Sequence, residues 1–484
     1  MSRRPNILLL MTDQHRAGFT AGSGLDLDTM PCLDKVAAAG AAFGRAYTSY
    51  PACVPARTSL LTGRFPTAHR VRQNSAAKHA LYSEDLLDVL RAAGYSLHFS
   101  GKPHMYRTAE DFDSFHGPFL HDHGPAESAT DAAFDQWLHE LDHGVSAEPT
   151  PFPVEAQLPY RIVSGAIDAL DSTTEEDPFF LWVSFPEPHN PYQVPEPYFS
   201  EFAESEVPER LAGPEAIPEL GWRYRWLHEL TTGKRPGYDD AWRRYRANYL
   251  GMLRLIDDQI ARLLDRLGDR LDDTLVVFVS DHGDYVGEYG LQRKGAGMSD
   301  FLMRIPFVIS GPGVTAGPRD ELVSMVDLFP TLCELVGADL PAGVQGRSLA
   351  PVLAGEPGPE SEFGSIYAEL GYGGVSYDED DRPALHFPYE GRTYDELNSV
   401  TQSGGERMVV SGDHKLIVDD RGRRRLYDLR ADPAELVDLS DDPAHRAVSD
   451  ALQATLVRWL IRVADDLPVG VYTPKTTKHN WRWS

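Results

Sequence analysis

Tyr50-Pro51-Ala52-Cys53-Val54-Pro55-Ala56-Arg57-Thr58-Ser59-Leu60-Leu61-Thr62-Gly63-Arg64 is the stretch around which the chain is organised. A proline follows the cysteine by two residues and an arginine follows it by four. Proline suits the first helical turn, where its missing N–H would have no partner. Gly63 suits the position just past a helix end, where the backbone turns left-handed. The spacing therefore predicts a helix ending at Thr62, with Cys53 just outside its N-terminus, in the positive end of the dipole. Arg57, one turn on, is expected to fold its planar fork toward an anion held there or toward Cys53.

The whole chain sets the context. It has 484 residues, enough for two domains or one large domain with an appendage. Lys and Arg total 46 against 73 Asp and Glu, a formal charge of −27. A field of that sign argues against nucleic acid or a membrane surface as partner, and it obliges an anionic substrate to find a locally basic pocket. Cys32, Cys53 and Cys333 form neither a disulfide framework nor a metal spacing, which fits a reducing, cytoplasmic location. No apolar run is long enough to cross a bilayer.

Four apolar runs each end in polar residues of catalytic type. Ile7–Met11 leads to Asp13-Gln14-His15, Tyr95–Ser100 to Lys102 and His104, Phe179–Phe185 to Glu187 and His189, and Leu275–Ser280 to Asp281-His282-Gly283-Asp284. Unbroken apolar runs suit strands covered on both faces. Helical patterns lie between them: Pro31–Phe43, Glu84–Ala93 and Trp242–Leu267. The expected fold class is therefore α/β, a mostly parallel mixed sheet sandwiched by helices, with ligands bound beyond the carboxyl ends of the strands. A Gly/Pro-rich passage near Gly355 separates residues 1–355, the catalytic domain, from residues 356–484, a smaller α+β subdomain with a short antiparallel sheet. Two long segments, Pro118–Pro159 and Glu201–Tyr238, read as pocket-shaping loops. Their aromatics Trp222, Tyr224 and Trp226, with Tyr372 and Tyr377, could stack on a sugar or an aryl ring. His69, His79, His116, His121 and His123 read as surface or capping residues.

At the strand ends, Asp13-Gln14 and Asp281-His282 pair a carboxylate with a neutral ligand. Two carboxylates and a carboxamide oxygen suit a hard divalent cation such as Ca²⁺, while the imidazole of His282 leaves Mn²⁺ or Zn²⁺ open. Lysines beside histidines at strand ends of so acidic a protein suggest a charge-neutralising cradle for an anion.

Cys-x-Pro-x-Arg at Cys53, Pro55 and Arg57, closed by Gly63-Arg64, resembles the signature of the type I sulfatases of the alkaline phosphatase superfamily. That resemblance implies conversion of Cys53 to Cα-formylglycine by a formylglycine-generating enzyme, and a divalent metal held by Asp13, Gln14, Asp281, His282 and the modified Cys53. Gly101-Lys102-Pro103-His104 resembles the family's Gly-Lys-x-His, and Pro188-His189-Asn190-Pro191-Tyr192 resembles its Pro-His-x-Pro-Tyr. Lys294 resembles the lysine after the second metal pair. Lys415-Leu416-Ile417 with Leu426-Tyr427-Asp428 looks like the closing hairpin. The catalytic set so implied is Cys53, Arg57, Lys102, His104, His189 and Lys294, acting on a small anionic sulfate ester. Asn74 is a guess as a pocket residue. Many sulfatases carry Asp where Gln14 stands and Asn where His282 stands, and Gln with His resembles instead the phosphonate monoester hydrolase branch. Three readings stay open: a sulfatase, a phosphonate or phosphodiester hydrolase with the same nucleophile, and a non-catalytic anion- or metal-binding protein with unmodified Cys53. Cytosolic relatives often assemble, so a homo-oligomer is also allowed.

Overall fold

Asn6–Asp13 (β1) is buried along its whole length, and its side chains divide between two cores. Leu8 and Leu10 enter the core on one face of the sheet, whereas Ile7, Leu9 and Met11 enter the core on the other. That division is why the run is continuously apolar: in a strand successive side chains point to opposite faces, and here neither face meets water. The structure, a computed structural model, describes residues 4–174, 177–372, 376–381, 388–389, 392–393 and 399–464.

The main sheet has eight strands. After β1 come β2 (Ala41–Phe43), β3 (Ser96–Gly101), β4 (Ser114–His116), β5 (Phe179–Pro188), β6 (Thr274–Ser280), β7 (Phe307–Ser310) and β8 (Gly317–Arg319). Their order across the sheet is β4-β3-β5-β1-β6-β7-β2-β8. Every neighbouring pair is parallel except those made by β7, which runs antiparallel to both β6 and β2.

Helices Pro31–Ala39 (α1), Leu158–Asp171 and Trp242–Leu267 pack on the face of Leu8 and Leu10. Cys53–Thr62 (α2), Leu86–Ala92 and Leu328–Val336 cover the face of Ile7, Leu9 and Met11. The helix expected over Pro31–Phe43 stops at Ala39, because Gly40 takes an extended conformation that starts β2. Both segments expected to be loops contain helix, Ala129–Glu140 in the first and Trp222–Lys234 in the second. Tyr224 and Trp226 are consequently core residues, Tyr224 lying edge-on to Tyr285 and Tyr289.

Ser365–Leu370, Glu406–Ser411, His414–Asp419 and Arg424–Asp428 form a separate four-stranded antiparallel sheet, backed by helix Arg446–Val463. Among the described residues no helix is long and apolar enough to cross a membrane.

Candidate active site

Four adjacent parallel strands, β3, β5, β1 and β6, deliver four polar clusters to one end of the sheet. Asp13 ends β1, Lys102 follows β3, His189 follows β5 and Asp281 follows β6. The register puts Gly101 beside Ser184 and Thr12 beside Ser280, so the clusters arrive level. Gly101 must be glycine. Its φ is +126°, and a Cβ there would lie 1.9 Å from the Ser184 carbonyl oxygen.

Helix α2 adds the fifth contribution. Cys53 is its first residue, one position inside the expected boundary, with Ala52 as N-cap, and Gly63 closes it at φ +60°. No side chain of the N-cap serves the helix N-terminus. Instead Asn74, whose pocket role was a guess, accepts the Val54 N–H at 3.1 Å.

The Cys53 thiol donates to Asp13 Oδ1 at 3.5 Å, and His282 Nε2 lies 3.4 Å from Sγ. His282 Nε2 is 3.8 Å from Asp13 Oδ1 and 3.7 Å from Asp281 Oδ1. His282 Nδ1 donates to the Gly283 carbonyl at 2.9 Å, which fixes the tautomer and leaves Nε2 as a bare lone pair. Among the described residues, Asp13, Cys53, Asp281 and His282 form one group whose ligand atoms all lie within 4.8 Å of one another, and all four are buried. Two carboxylate oxygens and an imidazole lone pair facing one another suit a divalent cation.

Gln14 behaves differently. Its Nε2 donates to Asp284 Oδ2 at 2.6 Å, while its Oε1 accepts from Lys294 Nζ at 2.6 Å. Its backbone sits at φ +73°, a strained value for a non-glycine residue. The carboxamide is thus held at both ends, its oxygen by Lys294 and its nitrogen by Asp284.

Arg57 is fully buried. Its Nε donates to Asp281 Oδ2 at 2.9 Å, Nη2 to Asp13 Oδ2 at 3.3 Å, and Nη1 to Ser184 Oγ at 2.7 Å and the Lys102 carbonyl at 3.0 Å. The expectation that this fork serves an anion or Cys53 is corrected: it clamps the two carboxylates together. Lys102 Nζ adds an ion pair to Asp13 Oδ2 at 2.7 Å.

Burial would raise the Asp13 carboxyl, but the Lys102 and Arg57 cations outweigh it and hold Asp13 well below the usual carboxylate range. Burial, and then the Asp13 carboxylate, push the Cys53 thiol up to about 12. A thiol so placed is a poor nucleophile as it stands. Burial and then Lys102 hold His104 well below the ordinary histidine value. Burial, then Lys294 and Lys102, do the same for His189. Both imidazoles are thus neutral, and His189 Nδ1 donates to the Asn190 carbonyl at 2.8 Å, so its Nε2 must take up a proton before it can give one.

Two histidine readings are corrected. His69 is fully buried against Ser59 Oγ at 2.9 Å, and His121 is buried beside His189, their ring centroids 5.3 Å apart. Sequence spacing carried no signal for either, since His121 reaches the site through a long connection.

A sulfatase family model matches residues 5–338. The chain belongs to the sulfatase family. The sulfatase is 29% identical to an arylsulfatase of Clostridium perfringens, over 94% of each chain. It is 28% identical to a choline-sulfatase of Rhizobium meliloti, covering 91% of this chain and 83% of that one. Among solved structures it resembles the phosphonate monoester hydrolase of Agrobacterium radiobacter, with a TM-score of 0.76 and 25% identity over 95% of this chain and 96% of that one. The sulfatase is accordingly a sulfuric ester hydrolase with the sulfatase fold.

Proposed function

We propose that this sulfatase hydrolyses a small sulfate monoester to an alcohol and inorganic sulfate, with residue 53 as nucleophile after oxidation of its thiol to formylglycine by a formylglycine-generating enzyme. The observation that carries this reading is the placement of Cys53 Sγ 3.4–3.5 Å from both His282 and Asp13, in surroundings that keep an ordinary thiol protonated. A divalent cation, Ca²⁺ first and Mn²⁺ or Zn²⁺ as alternatives, would be held by Asp13, Gln14, Asp281, His282 and residue 53, and it supplies positive charge that favours loss of a proton from the nucleophile. The aldehyde hydrate derived from Cys53 supplies two geminal hydroxyls, one to displace the alcohol from sulfur and the other to release sulfate without a second attack of water on sulfur.

Lys102 and Lys294 balance charge on the sulfate oxygens. Arg57 holds Asp13 and Asp281 at a fixed separation, and its charge is shared between them. His189, once Nε2 has taken up a proton, passes it to the departing alcohol oxygen, and His104 takes the proton given up when sulfate is released. Three free cysteines support work in a reducing, cytoplasmic setting.

A second reading, hydrolysis of phosphonate monoesters or phosphodiesters, is favoured by Gln14 and His282 and by the likeness to a phosphonate monoester hydrolase. Sulfate, phosphonate and phosphodiester substrates are to be compared on the wild type and on the Cys53→Ala and Cys53→Ser variants. We expect sulfate esters to be turned over fastest and Cys53→Ala to be inactive. Preference for phosphonates would transfer the assignment to the second reading. Full turnover by Cys53→Ala would remove residue 53 from the chemistry, and no turnover of any ester would favour an anion- or metal-binding protein.

A further inference from the structure

His189 is packed against side chains that the reaction so far does not use. The ring of His121 lies 5.3 Å from it, centroid to centroid, and stacks in turn on His143 at 4.5 Å with an interplanar angle of 29°. His143 itself lies 6.4 Å from His189, edge to face. The three rings form a triangular cluster, with polar neighbours at His143 and at His121. Asn190, the residue after His189, donates from Nδ2 to His143 Nδ1 at 2.6 Å. Asp122, the residue after His121, lies with Oδ1 3.7 Å from His121 Nε2, and it accepts from His123 Nδ1 at 2.8 Å and His139 Nδ1 at 3.1 Å. His121, Asp122, His143 and His189 are all at least nine-tenths buried.

Such a cluster is costly to build. A buried imidazole loses its hydration, and His143 sits at φ +64°, a conformation that strains a non-glycine residue. His189 Nδ1 donates to the Asn190 carbonyl at 2.8 Å, and the neighbouring rings restrain the swing that this one bond still allows.

Resting on the assignment of His189 as proton donor, we propose that His121 is a positioning residue for His189, and that this bracing fits the enzyme to sulfate esters of unactivated alcohols, such as those of sugars or alkyl alcohols. An alkoxide is a poor leaving group and needs its proton delivered along a fixed line as the S–O bond breaks. A nitrophenolate leaves without help, so a loosely held donor costs it little.

Wild type, His121→Ala, His121→Phe and His189→Ala are to be assayed on sulfate esters running from 4-nitrophenol to simple alcohols. We expect His121→Ala to lose about tenfold or more in kcat on alkyl esters and less than about threefold on the 4-nitrophenyl ester, with KM little changed. His121→Phe, which keeps a stacking ring, should recover most of the loss. A uniform loss for His121→Ala beside a leaving-group-dependent loss for His189→Ala overturns the positioning role alone. A uniform loss for His189→Ala overturns the proton-donor assignment and the leaving-group claim with it. A crystal structure of His121→Ala reads the bracing without turnover: a displaced or doubled His189 ring supports it, and an unmoved ring refutes it.

Discussion

Arg57 joins two buried carboxylates that would otherwise repel each other, and its fork is engaged by Asp13, Asp281, Ser184 and the Lys102 carbonyl. Truncating one partner of a buried ion pair leaves the rest uncompensated, at about 3–5 kcal/mol. Arg57→Ala should therefore lower stability by that order in urea unfolding, besides abolishing activity; a loss under about 1 kcal/mol would show that the clamp is weak. Asp257 offers a test by pH. It accepts the Cys32 and Leu33 N–H groups at the start of α1, at 2.7 and 2.9 Å. Burial pushes its carboxyl up to about 7, against those two donors, whereas in the unfolded chain it titrates near about 3.9. Its contribution is whole below the unfolded value and is lost as pH rises through about 7, by a few kcal/mol at most. Stability of Asp257→Asn should fall less than that of wild type between about pH 4 and pH 8, and parallel pH curves would count against a raised Asp257. At this scale sequence reading misjudged the direction of the Arg57 fork. The Cys53 motif is local, so its atoms could be placed from spacing; Arg57's partners come from β1 and β6, hundreds of residues apart, which no local pattern encodes.

Among the elements, the strands were the most legible. The four apolar runs appear as β1, β3, β5 and β6, because burial on both faces leaves few polar residues to blur the pattern. Their polar ends converge because parallel neighbours all finish at one edge. The short β2, β7 and β8 were not legible: three or four residues carry too little periodicity, and the antiparallel turn of β7 depends on pairing alone. Helix Ala129–Glu140 was missed although Ser128 and Asp131 form a capping box there, a signal that a surrounding Pro- and acid-rich composition obscured. Close approach of β3 to β5 rests on Gly101. Gly101→Ala should destabilise by about 2 kcal/mol or more and displace Lys102. Wild-type unfolding and kcat in that variant would contradict so tight a contact.

Over the whole molecule, one set of contacts joins the two sheets and one long-range field bears on substrate capture. The four-stranded sheet and its backing helix are tied to the residues that follow α2: Phe65 meets Tyr367 and Trp459 edge-on at 5.3 and 5.8 Å, and Glu369 accepts from Thr67 Oγ1 at 2.7 Å. A chain carrying −27 repels an anionic ester at long range, whereas the lysines act only at the site. Salt screens the long-range part, over a Debye length of about 10 Å at 0.1 M. Raising ionic strength from about 0.01 to 0.15 M should increase kcat/KM for a singly charged sulfate ester while leaving kcat unchanged. A decrease would mean that local attraction dominates capture.

The chemistry of residue 53 underlies all of this. Active protein is to be digested, and the peptide containing residue 53 weighed before and after treatment with a hydrazine that traps aldehydes. We expect a peptide lighter than its thiol form that gains the hydrazone mass. A fully active preparation in which that peptide is wholly the unreacted thiol would contradict the mechanism at its root.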